Sequence, residues 1–471
     1  MKVRLLCPPP SLDSELVRPR HAPHYTAIVA ASLQRAGHAV SFTDLHLKSC
    51  SVEDLLQDLR WADPELLLVT HSDYNRELRP EVLEQIFSAL APELGPDRLW
   101  GFARLDAAHA VAAMEASPSM PGLLFGEPEL AAVALVEALS EGRSVTGLPG
   151  TVQRQGEELE INPAEKADLD ESPVPAWDLV DVRHYGFSPH QQAADAVYPV
   201  LASRGCPFPC FYCEVRARPS WTARSVDSVI GELQTLHERH GARSFFLADP
   251  TFAVERDWAL EFCRRVKDEG PPGFRWSCMS RTDRVDPELL QAMASAGCWN
   301  ILFGIESLNP EALEAASKNL DPATVGPAIR AAREAGLEVI ASIMIGLPGD
   351  TPAGVESTLD KLIEMEPDFA QFFVVQIAEN ELPDGGRLVS DWDGSRYDFW
   401  GHVFAPDAFE GREQLLAIRR AAYRRFYLRP RYLRTRLGRM VRSGEFRPQL
   451  RRAVQGGVLA LRLAVGQRPS V

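Results

Sequence analysis

Apolar positions in the first 130 residues alternate between short β-rich runs and stretches with helical spacing. Val3–Leu6 reads as a strand, His24–Ala36 as a helix stopped by Gly37, and Val40–Phe42 and Leu66–Thr70 as further strands. Two later runs, Leu99–Phe102 and Leu123–Phe125, complete the series. Strand and helix in alternation predict a Rossmann-like, doubly wound parallel sheet over residues 1–150. Ligands of such sheets sit at the carboxyl ends of the strands. Here those ends are Pro8–Pro10, Thr70–Asp73, the loop from Gly101, and Gly126–Glu129.

The alternation then lapses. Residues 151–195, which include DLDESPVPAWDLVD, are polar and proline-containing and read as a linker. From Tyr198 six β-rich segments follow: YPVLAS, SFFLAD, FRWSCMS, NILFGIES, EVIASIMIG and FAQFFVVQI. Helical stretches such as Val226–His240, Pro287–Ala296, Pro322–Ala335 and Gly354–Met365 separate them, which predicts a partial (β/α)6 barrel over residues 196–390. Its chemistry belongs at the carboxyl ends of the strands. Residues 391–471 lose the strand signal and read as a helical, basic C-terminal region centred on FYLRPRYLRTRL.

Composition and charge change this picture in two ways. The chain has no run of about 18 apolar residues, and MKVRLLCPPPS is too short and too proline-rich for a signal peptide. The expected location is therefore the cytoplasm, with few cysteines and no disulfide framework. The net charge of -15 is segregated: residues 411–471 carry sixteen arginines against Glu413 and Glu445. That tail is either a helix packed on an acidic body with its arginines in water or a surface for an anionic membrane.

The chemistry lies in SRGCPFPCFYCE, directly after the first barrel strand. Cys206, Cys210 and Cys213 are spaced C-x3-C-x2-C in one loop at the expected active end. Grouped thiolates are the usual ligands of iron-sulfur clusters, and three of them leave one iron of a four-iron cluster open. A structural zinc site would need a fourth Cys or His, and no neighbouring motif supplies one.

With Tyr212 just before the third cysteine, this loop resembles the signature of the radical S-adenosylmethionine (SAM) superfamily. FLADPTF, SRTDRVDPELLQAMASAGC, FGIESLNPEALEAASK and IMIGLPGDT extend the resemblance over about residues 196–385. It implies a 4Fe-4S cluster on the three cysteines and SAM chelated at the open iron. The SAM-binding residues it implies are Tyr212, Asp249, Arg281, Glu306, Ser307, Gly346 and Gly349.

A doubly wound domain ahead of such a barrel is similar to the cobalamin (B12)-binding branch of that superfamily. That branch implies methyl transfer to unactivated carbon or phosphorus, with cyclisation or rearrangement as the alternative. Thr70, Ser72, Gly101, Gly126 and Glu127 are the cobalamin contacts it implies. The D-x-H-x-x-G loop of many cobalamin proteins is missing after the first strand, and GFARLDAAHA stands where G-G-x-H is common in the branch.

Two rival classes are a tRNA methylthiotransferase-like enzyme, which needs three further cysteines where only Cys7 and Cys50 occur, and a noncatalytic iron-sulfur or cobalamin-binding module. The partners implied are a small-molecule, lipid or peptide substrate, an electron donor such as flavodoxin or ferredoxin, and peripheral membrane contact through the tail. Nucleic acid is not expected.

Overall fold

The computed structural model describes residues 1–8, 22–45, 52–70, 72–73, 76–77, 80–185, 196–213, 215, 221–377, 383–389 and 402–435. Pro9, Pro10, the linker end 186–195, residues 391–401 and the tail beyond 435 lie outside the described residues. The chain divides into two compact units, Met1–Gly186 and Phe187–Val471.

The first unit is built on strands β1 (Lys2–Cys7), β2 (Ala39–Asp44), β3 (Leu66–Thr70), β4 (Leu99–Phe102) and β5 (Gly122–Leu124). Their order in the sheet is β2-β1-β3-β4-β5, all parallel. β3 reads LLLVT and is buried on both faces, as a central parallel strand must be. Helices cover both faces. Leu55, Leu83, Phe87 and Met114 pack on one side, and Val29, Leu33, Leu135 and Val136 on the other. The strand order reverses between β1 and β3, which is where open sheets of this kind place their crevice.

Residues 151–162 depart from the expected linker. β6 (Thr151–Gln155) pairs antiparallel with β5, and β7 (Glu158–Asn162) pairs antiparallel with β6, so this hairpin finishes the sheet. Gly156 turns it with φ +66°. Only Thr151, Val152 and Gln153 of β6 are buried, which is why the segment reads as polar.

The second unit carries β8 (Tyr198–Val200), β9 (Ser244–Leu247), β10 (Arg275–Ser280), β11 (Cys298–Glu306), β12 (Glu338–Ile345) and β13 (Phe369–Val374). They form one parallel six-stranded sheet in chain order. This is the expected open (β/α)6 arrangement. The helix Val226–His240 matches its sequence prediction residue for residue: Ser225 caps its start by accepting from the amide of Ser228, and Gly241 ends it in the left-handed region.

The last strand, β13, would leave an unpaired edge. The helix Arg412–Tyr427 covers it through phenols. Tyr427 accepts from the amide of Ala370 (3.1 Å) and donates to its carbonyl (2.8 Å), and Tyr423 accepts from the amide of Phe372 (3.2 Å). Arg425 pairs with Asp360, and Arg431 with Glu366 at 2.7 Å. The described part of the basic region is thus a helix packed on the barrel. Among the described residues no helix is long and apolar enough to cross a membrane.

Candidate functional site

The cysteine loop leaves the sheet just past β8 and is closed at its base. Ser203 and Arg204 pair antiparallel with Ala223 and Thr222. Arg224 locks this base from below: its guanidinium donates to Leu201 O (3.1 Å) and Ser228 Oγ (2.9 Å) and forms a buried ion pair with Glu232. Trp258 adds a bond from its indole to the carbonyl of Arg224 (2.7 Å). Gly205 turns the chain into the loop with φ +81°.

Within the loop Cys206 and Cys210 are buried and Cys213 is partly exposed; all three are free thiols. The amide of Cys213 bonds to the carbonyl of Cys210 (3.1 Å), a tight backbone turn between the last two cysteines. Cys206 Sγ lies 3.8 Å from Thr251 Oγ1. The amide of Phe211 bonds to the carbonyl of Ala316 (3.2 Å), tying the loop to the turn after β11. Tyr212 packs against the cluster formed by Ala312, Leu347 and Phe404, with its phenol buried. Burial pushes that phenol above its ordinary range, and the carboxylate of Glu306 adds to the shift.

The carboxyl ends of the neighbouring strands carry the other residues singled out in the sequence. Asp249, after β9, is 1% exposed. It accepts from Ser203 Oγ (2.5 Å) and from the amide of Ala202 (3.2 Å), so it anchors the chain that enters the cysteine loop. Burial raises its pKa to about 6 even though these bonds oppose the shift.

Arg281, after β10, is bidentate to Asp283 at 2.9 and 2.8 Å and donates to the carbonyls of Lys318 (2.8 Å) and Asn319 (3.0 Å). Glu306 ends β11 with φ +68°, a strained conformation for this residue type, at an irregularity in the pairing with β12. Its carboxylate meets Lys318 Nζ (3.4 Å) and Ser342 Oγ (3.3 Å). Ser307 follows, and its Oγ accepts from the amide of Asn309 (3.1 Å). Gly346 and Gly349 turn the chain after β12 with φ +86° and +72°. The space a side chain would need at Gly346 belongs to Leu415 and Pro406. In the same turn Asp350 is buried, and its carboxyl pKa is raised to about 6 by that burial.

Sequence reasoning missed Lys318, which is 6% exposed, buried beside Glu306 and flanked by Ser317 and Asn319 at φ +52° and +47°. A lysine closing an alanine-rich helical stretch carries no signal by itself. It also missed Phe208, Thr251 and Arg224.

At the carboxyl rim of the first sheet, Thr70 ends β3 and is buried, and Ser72 opens the two-residue strand Ser72–Asp73. Gly101 lies within β4, where Leu123 and Met120 occupy the space beside it. Gly126 has φ +75° and abuts Ala164. Glu127 caps the helix Pro128–Ser140 and lies 3.7 Å from Arg104, whose guanidinium also bonds Tyr25 Oη (2.9 Å). Arg104 is nearly fully buried, and its Nε has no hydrogen-bond acceptor. A buried donor without an acceptor is costly, so it suits a rim that receives a polar ligand group.

The donor chemistry fits an iron-sulfur cluster: three thiols on one short loop at the active end of a parallel sheet. Among the described residues no three Cys, His, Asp or Glu side chains gather round a single-ion site.

Comparisons with known proteins agree with this geometry. Residues 200–362 match the Radical SAM superfamily. The chain is 28% identical over 448 residues to an uncharacterized methyltransferase of Pyrococcus horikoshii, spanning 92% of this chain and 94% of that one. It is 27% identical over 425 residues to an anaerobic magnesium-protoporphyrin IX monomethyl ester cyclase of Cereibacter sphaeroides, spanning 86% of this chain and 67% of that one. Among solved structures it shares the fold of the radical SAM methyltransferase TsrM from Kitasatospora setae, determined with cobalamin and a [4Fe-4S] cluster. The TM-score is 0.64 at 20% identity, covering 80% of this chain and 75% of that one.

Proposed function

We propose that this chain, a member of the radical SAM superfamily through residues 200–362, is a cobalamin-dependent methyltransferase that cleaves SAM reductively with a 4Fe-4S cluster. The observation that carries this reading is the loop of Cys206, Cys210 and Cys213 at the carboxyl rim of a six-stranded parallel sheet, in a chain whose first unit has the strand order of a nucleotide- or corrin-type crevice. When bound, the reduced cluster supplies the electron that breaks a sulfur–carbon bond of SAM, and cobalamin supplies the methyl carrier.

The chain's own residues then bind, orient and exclude water. Cys206 and Cys210, which are buried, and Cys213, which is partly exposed, would hold the cluster. The SAM contacts proposed are the backbone at Tyr212 and the groups Asp249, Glu306, Ser307, Gly346 and Gly349, which follow the carboxyl ends of neighbouring strands, with Arg281 behind them. Glu306 has the most direct case, because its strained backbone turns a carboxylate toward the loop at the cost of burying it beside Lys318. In the first unit, Thr70, Ser72, Gly101, Gly126 and Glu127 form the rim proposed to receive cobalamin, and Arg104 is added to them by its unsatisfied Nε.

The substrate is a small molecule. The finer assignments are an unactivated carbon or phosphorus as methyl acceptor, a lipid or peptide as further options, flavodoxin or ferredoxin as electron donor, and a cytoplasmic location. Peripheral membrane contact rests on the sixteen arginines after residue 410. The cyclase relative favours one second reading, cyclisation by the same cofactors.

The deciding experiment is anaerobic reconstitution with iron, sulfide and hydroxocobalamin, then reduction with SAM and mass spectrometry. Bound cobalamin with S-adenosylhomocysteine and 5′-deoxyadenosine is the expected result. SAM cleavage without cobalamin overturns the methyltransferase reading and leaves the radical SAM chemistry standing.

A further inference from the structure

Phe208 sits between Cys206 and Cys210 and faces two cations. The guanidinium carbon of Arg281 lies 4.1 Å from its ring centroid, and that of Arg284 lies 5.0 Å away. Both distances fall within the reach at which a cation is held by the negative face of a ring. The two arginines come from the short 3-10 turn after β10.

Arg281 is held firmly on its other side. Asp283 takes two of its N–H groups and the carbonyls of Lys318 and Asn319 take two more. Its side chain is 4% exposed, against 23% for Asp283. The carboxylate therefore neutralises it from the wetter side, and Arg284 adds a second positive charge close by. Phe208 lies two positions from both Cys206 and Cys210, and those two cysteines and Arg281 are all buried, so the guanidinium and the proposed cluster ligands share one low-dielectric region.

We propose that Arg281, with Arg284, is a positioning residue that clamps the cluster loop through Phe208 and raises the reduction potential of the cluster. It is not a direct SAM ligand. The idea rests on the reading that the loop carries a four-iron cluster. A guanidinium stacked on the cysteine loop favours the state that has gained an electron, because a buried positive charge close to the loop stabilises added negative charge. The fork geometry acts separately: it ties Phe208, and so the loop, to the 318–319 turn.

The test uses the full chain, anaerobically reconstituted with iron and sulfide and titrated by potentiometry with electron paramagnetic resonance, without SAM. Arg281→Met is expected to make reduction about tenfold less favourable, which is about 59 mV for one electron. Arg281→Lys keeps the charge and loses the fork. It is expected to hold the wild-type potential while releasing iron to a chelator several-fold faster, as Phe208→Leu does. Arg264→Met, on an exposed helix face, is the control.

Intact clusters with unchanged potential in Arg281→Met overturn the electrostatic role. A lowered potential in Arg281→Lys overturns it as well, and serves where the Met variant does not fold. Wild-type potential together with lost SAM binding in Arg281→Lys returns Arg281 to the SAM site. Absence of a four-iron spectrum in the wild-type chain defeats the cluster reading itself and is distinct from all of these.

Discussion

The two units solve the same problem, finishing an open parallel sheet, in opposite ways. The first closes one edge with main chain: β6 and β7 extend the sheet by ordinary ladder bonds. The second closes its edge with side chains, the phenols of Tyr423 and Tyr427 bonded to β13. Their carboxyl rims differ too. The second rim is crowded with buried charges that are already partnered, namely Asp249, Arg281, Glu306, Lys318 and Asp350. Among its described residues the first carries Asp44, Thr70 and the Arg104–Glu127 pair, whose carboxylate is partly exposed. Charged groups fixed before binding suit a small charged ligand such as SAM.

Removing the cysteines gives the largest expected effect. Replacing Cys206, Cys210 and Cys213 together by Ala should abolish the absorbance near ~400 nm of the reconstituted protein and all SAM cleavage. Cobalamin retention should be unaffected, since it depends on the other rim. Loss of both cofactors in the triple variant would break the contrast between the rims.

The next effect comes from the Glu306–Lys318 pair. Both side chains are under a tenth exposed, so Glu306→Gln leaves a buried ammonium without its carboxylate. That costs about 3 kcal/mol. Lys318→Met combined with Glu306→Gln should recover most of the stability in urea unfolding of the cofactor-free protein, yet not SAM binding. Equal losses in the single and double variants would show that the pair does not interact in solution.

Asp249 and Asp350 make the second rim pH-sensitive. Each has a folded-state pKa of about 6, above the ordinary aspartate value of about 4. The folded protein therefore binds more protons than the unfolded chain between those values, and stability falls as pH rises through that window. Above about pH 6 the penalty is complete, on the order of 2–3 kcal/mol for each group. Asp350→Asn should stabilise the cofactor-free protein relative to wild type at pH 7 and make no difference near pH 4. A difference that does not change with pH would sink this assignment.

How much of this was legible beforehand follows the same division. Apolar runs such as LLLVT and EVIASIMIG have one solution as buried parallel strands, so the sheets and the place of the cysteine loop could be read directly. The 151–162 hairpin could not, because β6 buries only three side chains and the edge strand β7 none, which gives the pair the composition of a linker. Likewise Asp249 and Glu306 were visible as charges at strand ends, whereas Lys318 and Phe208 matter through turns that bring distant residues together. The packing of Leu123 and Met120 beside Gly101 is likewise a neighbourhood that no local pattern in the sequence shows.

The smallest effect tests the edge closures. Tyr427→Phe keeps the ring contacts with Tyr423 and Phe426 but removes the hydroxyl that serves both the amide and the carbonyl of Ala370. Those groups lie on a buried strand, so the loss should be about 1–2 kcal/mol. Tyr423→Phe frees a single amide and should cost about half as much. In hydrogen exchange the amide of Ala370 should lose protection in the first variant and that of Phe372 in the second, while the β6–β7 hairpin of the first unit stays as protected as before. Unchanged exchange at Ala370 would mean that β13 does not rely on the phenol, and the contrast between a main-chain edge and a side-chain edge would fail.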